Sequence, residues 1–345
     1  MSADSLLGHW LSAFTGQSES AVRRSARHST FRPTLQSLED RIALAGSIIL
    51  NGTVLSVRGD PGATSNQFQF SEMTTTLPGT TQPVTNFSVA INGQMQQFTS
   101  AQVSQILVFG VGANNTGLVV VSDTFTVPGL STPQHTPYTV VSSRGGGYLL
   151  NGAGNIFLQF AQFQNTTVYV HPADTSYLYT IAGSSNSVFA SSGTYGYVAG
   201  SGEFHLISGA ATLNAISLNA TDQAFQYDVN GQETFVASSN LFSSMSGSVS
   251  GRSFMNVAIG FPTNFGIAMH GGLDVATLID SPGNDTFFGT TSFSYMSSTT
   301  SGHTFFNEVQ RFGRVTAESI QGGQDVAFNF DIGVNVLVGN WMVGF

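Results

Sequence analysis

Cysteine and lysine are both absent from the 345 residues. Without cysteine there is no disulfide framework, no thiolate nucleophile and no Cys-ligated zinc. The ten basic residues are all arginine, and charged residues make up 8% of the chain, against roughly 25% in an ordinary soluble domain. Arg23, Arg24, Arg27, Arg32 and Arg41 lie in the first 45 positions, which leaves five arginines against 15 acidic residues from Gly46 onward. A body with a net charge of about −10 repels phosphate backbones, so nucleic acid is not an expected partner. No uncharged run is apolar over the ~18 residues that a membrane-spanning helix needs. Walker-type and dinucleotide-binding loops are missing. The nearest approach to a nucleophile elbow, "GSVSG" at 247–251, has Val249 where the serine must stand. His9, His28, His135, His171, His205, His270 and His303 show no metal-ligand spacing and read as isolated loop residues. No catalytic residue and no organic cofactor follow from any of this.

What the chain has in quantity is apolar and small polar material. Hydrophobic residues reach 41%, with 28 Phe and 9 Tyr, enough for a sizeable core. Glycine, serine, threonine, asparagine and glutamine replace the missing charges. The result is a polar but nearly neutral surface.

The organising feature is a repeat of about 50 residues. "DTSYLYT" (174–180), "DQAFQYD" (222–228), "DVATLID" (274–280) and "DVAFNFD" (325–331) are versions of one heptad, spaced 48, 52 and 51 residues apart. A matching turn, "GGLD" at 271–274 and "GGQD" at 322–325, precedes two of them, and "IAGSSNSVFA", "VNGQETFVA", "SPGNDTFFG" and "IGVNVLVG" follow. Within each heptad Tyr177 and Tyr179, Phe225 and Tyr227, Thr277 and Ile279, Phe328 and Phe330 alternate with their neighbours, the period of two that marks a strand. The expected fold is all-β, a parallel β-solenoid of ~50-residue repeats, each about two coils of ~25 residues, with an antiparallel β-sandwich as the alternative. Equivalent strands are expected to stack, with the heptad aromatics buried. The units fall near 174–221, 222–273 and 274–324, with a truncated one at 325–345, inside a repeat body of 123–345. Residues 46–122 are strand-rich, and Asn51-Gly52 and Asn92-Gly93 are hairpin signals. Those hairpins suit either a small antiparallel cap or solenoid corners.

Residues 1–45 differ in kind. Leu6, Leu7, Trp10, Leu11 and Phe14 share one helical stripe, and a basic, polar stretch, expected to be largely disordered, follows to Ala45. "FRPTLQSLEDRIALA" (31–45) resembles the N-terminal LEPR-XLL type motif of large secreted or surface proteins of planctomycete bacteria, with Asp40 in place of the motif's proline and Ala43 where leucine is common. The repeat body from 174 to 345, with "GNDTF", "FFNEVQRFGRV" and "GGQDVAFNFD", is similar to the long arrays of the same proteins. The resemblance implies export or surface sorting and a solenoid architecture, and brings no catalytic residue with it. The expectation is a non-enzymatic, exported structural or adhesive protein, extracellular or at the cell surface, whose partners are surface or matrix components, glycans among them. A carbohydrate-binding or carbohydrate-active β-helix and a calcium-dependent extracellular module are the alternatives.

Two acidic patterns bear on these alternatives. "DSPGNDTFFG" (280–289) has the look of a calcium loop, with Asp280 and Asp285 as the candidate metal ligands. Calcium takes 6 to 8 oxygens, and the positions matching Asp285 are Ser187, Glu233 and Val336, so a ladder of shared ions is not expected. The stretch reads first as a turn capped by Asn284 and Asp285, with Phe287 entering the core. Asp174, Asp222, Asp274 and Asp325 are expected to line up along the axis ~9–10 Å apart, close to the separation of an inverting glycosidase pair. Their place immediately before a strand in every unit favours a turn role over a polysaccharide lyase or glycosidase.

Overall fold

The structure, a computed structural model, describes residues 46–76, 83–111, 115–121, 137–143, 145–151, 154–180, 182–183, 186–270, 273–299 and 304–344. The amphipathic stripe and the LEPR-XLL-like segment lie outside the described residues. Among those described there is no helix, and therefore none long and apolar enough to cross a membrane. The fold is all-β: two long mixed sheets of 14 and 15 strands, here A and B, enclose the core between them.

The chain starts in sheet A with a hairpin of β1 (Ser47–Asn51) and β2 (Val54–Arg58). Asn51 pairs with Val54, so the turn itself is Gly52-Thr53, and the positive φ that the first turn residue requires falls on Gly52. β3 (Gln67–Thr76) crosses to sheet B, where β4 (Pro83–Ile91) and β5 (Gln94–Thr99) fold back and extend that sheet outward. Here Asn92 and Gly93 are both at positive φ, the type I′ geometry anticipated for this dipeptide. β6 (Gln105–Phe109) runs parallel to β2 in sheet A, and β7 (Thr116–Val121) parallel to β3 in sheet B.

A recurrent unit then takes over. In sheet A, β8 (Thr139–Ser143), β9 (Gly145–Leu150) and β10 (Ile156–Phe163) form an antiparallel meander that doubles back, so that β10 lies beside β6. β11 (Asn165–Val170) crosses to sheet B and β12 (Thr175–Tyr179) returns to A. The next meander, β13 (Val188–Ser192), β14 (Tyr195–Gly200) and β15 (Glu203–Ser208), is in B. β16 (Thr212–Ile216) and β17 (Gln223–Tyr227) cross to A and back to B. β18 (Thr234–Ser238), β19 (Phe242–Val249) and β20 (Arg252–Ile259) make a meander in A. β21 (Thr263–Ile267) and β22 (Val275–Ile279) cross again, and β23 (Thr286–Gly289), β24 (Phe293–Ser298) and β25 (Phe305–Gln310) make the meander in B. β26 (Arg314–Ser319), β27 (Asp325–Asn329), β28 (Asn335–Gly339) and β29 (Trp341–Gly344) alternate A, B, A, B to the end.

Each unit thus has five strands, three in a meander and two crossing. A meander stays within one sheet, so the chain changes sheet three times per unit, an odd number, and successive units exchange sheets. The heptad strands β12 and β22 belong to sheet A, whereas β17 and β27 belong to sheet B. Equivalent strands therefore do not stack on one another: β17 has β13 and β21 as its neighbours, both parallel to it. The winding between two sheets is that of a solenoid, but antiparallel meanders interrupt its parallel pairings.

Packing explains which heptad face goes inside. The first strand of three meanders sends a phenylalanine, Phe189, Phe235 or Phe287, fully into the core. Its parallel neighbour places an alanine at the paired position: Ala224, Ala276 and Ala327. A large ring beside a methyl fills the space between the sheets at close-packed density. The inward face of the heptads is therefore small or aliphatic, with Ser176, Leu178, Ala224, Ala276, Leu278 and Ala327 buried. The aromatics Tyr177, Tyr179, Phe225, Tyr227 and Phe328 point outward and are half-buried, reversing the expected burial. Beneath Phe235 sits Gly266, where a Cβ would stand 2.7 Å from the ring's Cγ, so only glycine fits below that ring.

Candidate functional site

The repeated aspartates find their explanation at the corners between strands. Asp174, Asp222 and Asp274 each immediately precede a strand, Asp325 is the first residue of one, and all four are buried. In every case Oδ1 accepts a backbone N–H from the residue ahead of the previous meander or its equivalent: Tyr138 at 2.8 Å, Ser187 at 2.9 Å, Glu233 at 2.8 Å and Asp285 at 2.9 Å. Secondary structure leaves that N–H without a partner, and a buried unpaired donor costs about 1–3 kcal/mol. The aspartate supplies the acceptor and ties one pass of the chain to the next. Since Asp174 and Asp274 open strands of sheet A and Asp222 and Asp325 open strands of sheet B, the four form no axial row. The carboxylate pair that a glycosidase reading needs is not assembled by them.

At two corners three acidic residues converge. Asp228, Glu233 and Asp274 form one group, and Asp280, Asp285 and Asp325 the other; in each, one oxygen per residue lies within 4.8 Å of the others, and all six residues are buried. The groups are equivalent, one unit apart. The first residue closes a heptad just after its strand, the second precedes a meander, and the third begins the following heptad. Asp280 and Asp285, the ligands anticipated from sequence, are thus brought together. Asp325, forty residues further on, completes their group, and the parallel corner built around Glu233 has no counterpart in the sequence reading.

The two corners differ in how their oxygens are satisfied. Around Asp285, the Ser281 N–H donates at 2.7 Å and the Ser281 hydroxyl at 2.9 and 3.0 Å, while the Ser319 hydroxyl donates to Asp325 at 2.7 Å and Gln321 N–H to Asp280 at 2.8 Å. Asn284 Oδ1 accepts the Gln324 N–H, as a turn cap should. Among the described residues, only Oδ1 of Asp280 lacks a partner there. In the other corner Asp228 accepts the N–H groups of Met269 and His270, each at 2.8 Å, and its Oδ1 lies 3.0 Å from His270 Nδ1. Among the described residues, neither oxygen of Glu233 has a donor in bonding geometry, although Glu233 is 0% exposed. Burial first, and then the neighbouring Asp274 and Asp228, push the Glu233 carboxyl up to about 7, with the Val229 amide offsetting a part. Burial also raises Asp280 and Asp285, and Asp325 adds to both.

Compared with protein-family models, with curated proteins and with solved structures, the chain matches none.

A second feature lies on the outer face of sheet B. Phe225, Phe265, Phe306, Tyr295 and Phe288 come from five adjacent strands, β17, β21, β25, β24 and β23. Successive ring centroids are 4.5, 6.1, 5.3 and 5.4 Å apart, and Phe330 adds a ring 5.3 Å from Phe288. Phe225 and Phe265 are parallel to within 9°, so each covers a face of the other. An interior gap of about 20 Å³ beside Phe68, Phe160 and Phe163 has an almost wholly apolar lining and is packing slack, far below the size of a ligand chamber. His205 lies in β15 and is buried, with Nδ1 2.7 Å from Thr166 Oγ1, so it is a packed strand residue and not a loop residue.

Proposed function

We propose that the chain is a non-enzymatic structural element of the extracellular matrix or cell surface, a scaffold whose repeat sets length and spacing. The observation that carries this reading is the fourfold tie between an aspartate and the preceding pass of the chain, Tyr138–Asp174, Ser187–Asp222, Glu233–Asp274 and Asp285–Asp325. The repeated polar groups are engaged with neighbouring coils and point at no common substrate position. Fourteen strands at about 4.8 Å per strand give sheet A a span on the order of 60 Å. The surface location is supported by the LEPR-XLL-like segment at 31–45 alone. External protease treatment of intact cells that make the protein tests it: degradation of the chain while cytosolic markers survive is expected, and a chain protected until lysis refutes the location.

The aromatic stripe on sheet B favours a second reading, carbohydrate binding. Stacking of Phe225 on Phe265 uses ring faces within the protein, which weakens this reading, but Phe293 and Phe330 at the stripe's end are 38% and 64% exposed and present surface to a partner. Co-sedimentation with insoluble polysaccharides decides between the two. Retention that is lost in Phe330→Ala and Phe293→Ala supports glycan binding; no retention leaves the scaffold.

A further inference from the structure

We infer that the corner formed by Asp228, Glu233 and Asp274 is a buried binding site for one divalent cation of the calcium class. The inference is independent of the surface reading. Three carboxylates meet there within 4.8 Å, a spacing compatible with a single ion, because two oxygens on opposite sides of calcium stand about 5 Å apart, twice the 2.3–2.6 Å Ca–O distance. Each of the three residues is at most 1% exposed. Among the described residues no arginine comes within ion-pair distance of them, and the one basic group in contact is the His270 imidazole, half-exposed, on Asp228.

The second observation is Glu233 itself. It is the largest acidic side chain at its repeat position, where the neighbouring units have Ser187 and Asp285. It is completely enclosed, it reaches the two aspartates, and among the described residues neither oxygen has a hydrogen-bond partner in good geometry, the Val229 amide offsetting only part of its burial. The fold makes room for it. The residue opposite, on β19, is Gly247, where a Cβ would lie 2.7 Å from Glu233 Cγ and Oε1; the matching position of the next unit is Ser298. A buried carboxylate without donors is stable only with a proton or a metal ion.

Oxygen-only donors select hard cations. Magnesium demands six ligands at 2.0–2.1 Å in near-octahedral order and gives up its waters reluctantly, whereas calcium accepts irregular and bidentate carboxylate geometry. A dry corner in which one oxygen from each of three carboxylates converges, with both Glu233 oxygens available for bidentate ligation, therefore suits calcium. The sister corner, although it contains the more loop-like sequence, is occupied by hydrogen bonds from Ser281, Ser319 and Gln321 and is not assigned an ion.

The test uses the full chain stripped with EDTA and dialysed against calcium chloride or magnesium chloride, with bound metal counted by atomic emission and stability read by urea unfolding. One calcium per chain is expected, and the unfolding equilibrium constant should fall about 100-fold at 100 times the dissociation constant. Glu233→Gln, which keeps the shape, should remain folded and lose both effects; Asp280→Asn should retain both. The inference is overturned if the unmodified chain takes up no calcium, in which case a proton shared by Glu233 and Asp274 fills the corner. It is equally overturned if Glu233→Gln still binds calcium or if Asp280→Asn abolishes binding. Should either variant not fold, uptake by the unmodified chain decides.

Discussion

Phe235 and Gly266 face each other across the core and make a quantitative test of the packing. Phe235 is fully buried, paired beside Ala276, with the α-carbon of Gly266 below its ring. Removing the ring in Phe235→Ala leaves a cavity between sheets that can collapse only partly, which costs about 3–5 kcal/mol. Gly266→Ala inserts a methyl 2.7 Å from Cγ, a contact that turning the ring about χ2 cannot relieve, and should cost about 1–3 kcal/mol. In the double variant the added methyl has no ring to meet and occupies part of the cavity. The double variant should then be no less stable than Phe235→Ala alone, a coupling of about 1–3 kcal/mol. Urea unfolding of the four chains, followed by far-ultraviolet circular dichroism, measures it. Strict additivity would refute the argument, because it would mean that the ring and the glycine are not in contact.

Two further outcomes follow from the corners. Asp222→Ala removes the acceptor of the Ser187 N–H and of the Ser217 and Asn219 side chains, and should lose at least about 1–3 kcal/mol; Asp222→Asn, which keeps an oxygen, should lose less in the same urea assay. In EDTA the chain should lose stability as pH rises from 4.5 to about 7, since the unfolded chain releases the Glu233 proton first while the folded chain retains it. The full cost, on the order of 3 kcal/mol, applies above that range and is absent below 4.5. Asp280 and Asp285, also raised, act with the same sign. Glu233→Gln should flatten the profile, and an unchanged slope between pH 5 and pH 8 would count against the burial of that charge.

How far the sequence alone leads is clear from particular residues. Alternation in "DQAFQYD" identifies β17 as a strand, and the 48 to 52 residue spacing identifies the unit, because both are local properties of the chain. Period two does not say which face is inside. Phe225 looks like the core residue of its heptad, but the core place beside it is filled by Phe189 from another strand, which leaves room only for Ala224. In the same way Asp280 and Asp285 are adjacent enough in sequence to be paired on inspection, while Asp325 joins them only through the neighbouring pass of the chain. The signal for the second corner was present in part: Glu233 aligns with Asp285, and Asp228 and Asp274 with Asp280 and Asp325. What was missing was the knowledge that the third residue of each set comes from the next heptad.

The five-strand unit has a consequence for how such a chain can change length. Duplicating or deleting a single unit would transfer every later strand to the opposite sheet, turning the downstream surface over like a page. A pair of units restores the original facing. A surface feature that depends on its side, such as the aromatic stripe of sheet B, therefore survives growth in steps of about 100 residues and is inverted by steps of about 50. Parity, rather than length as such, is the quantity that expansion of this architecture has to conserve.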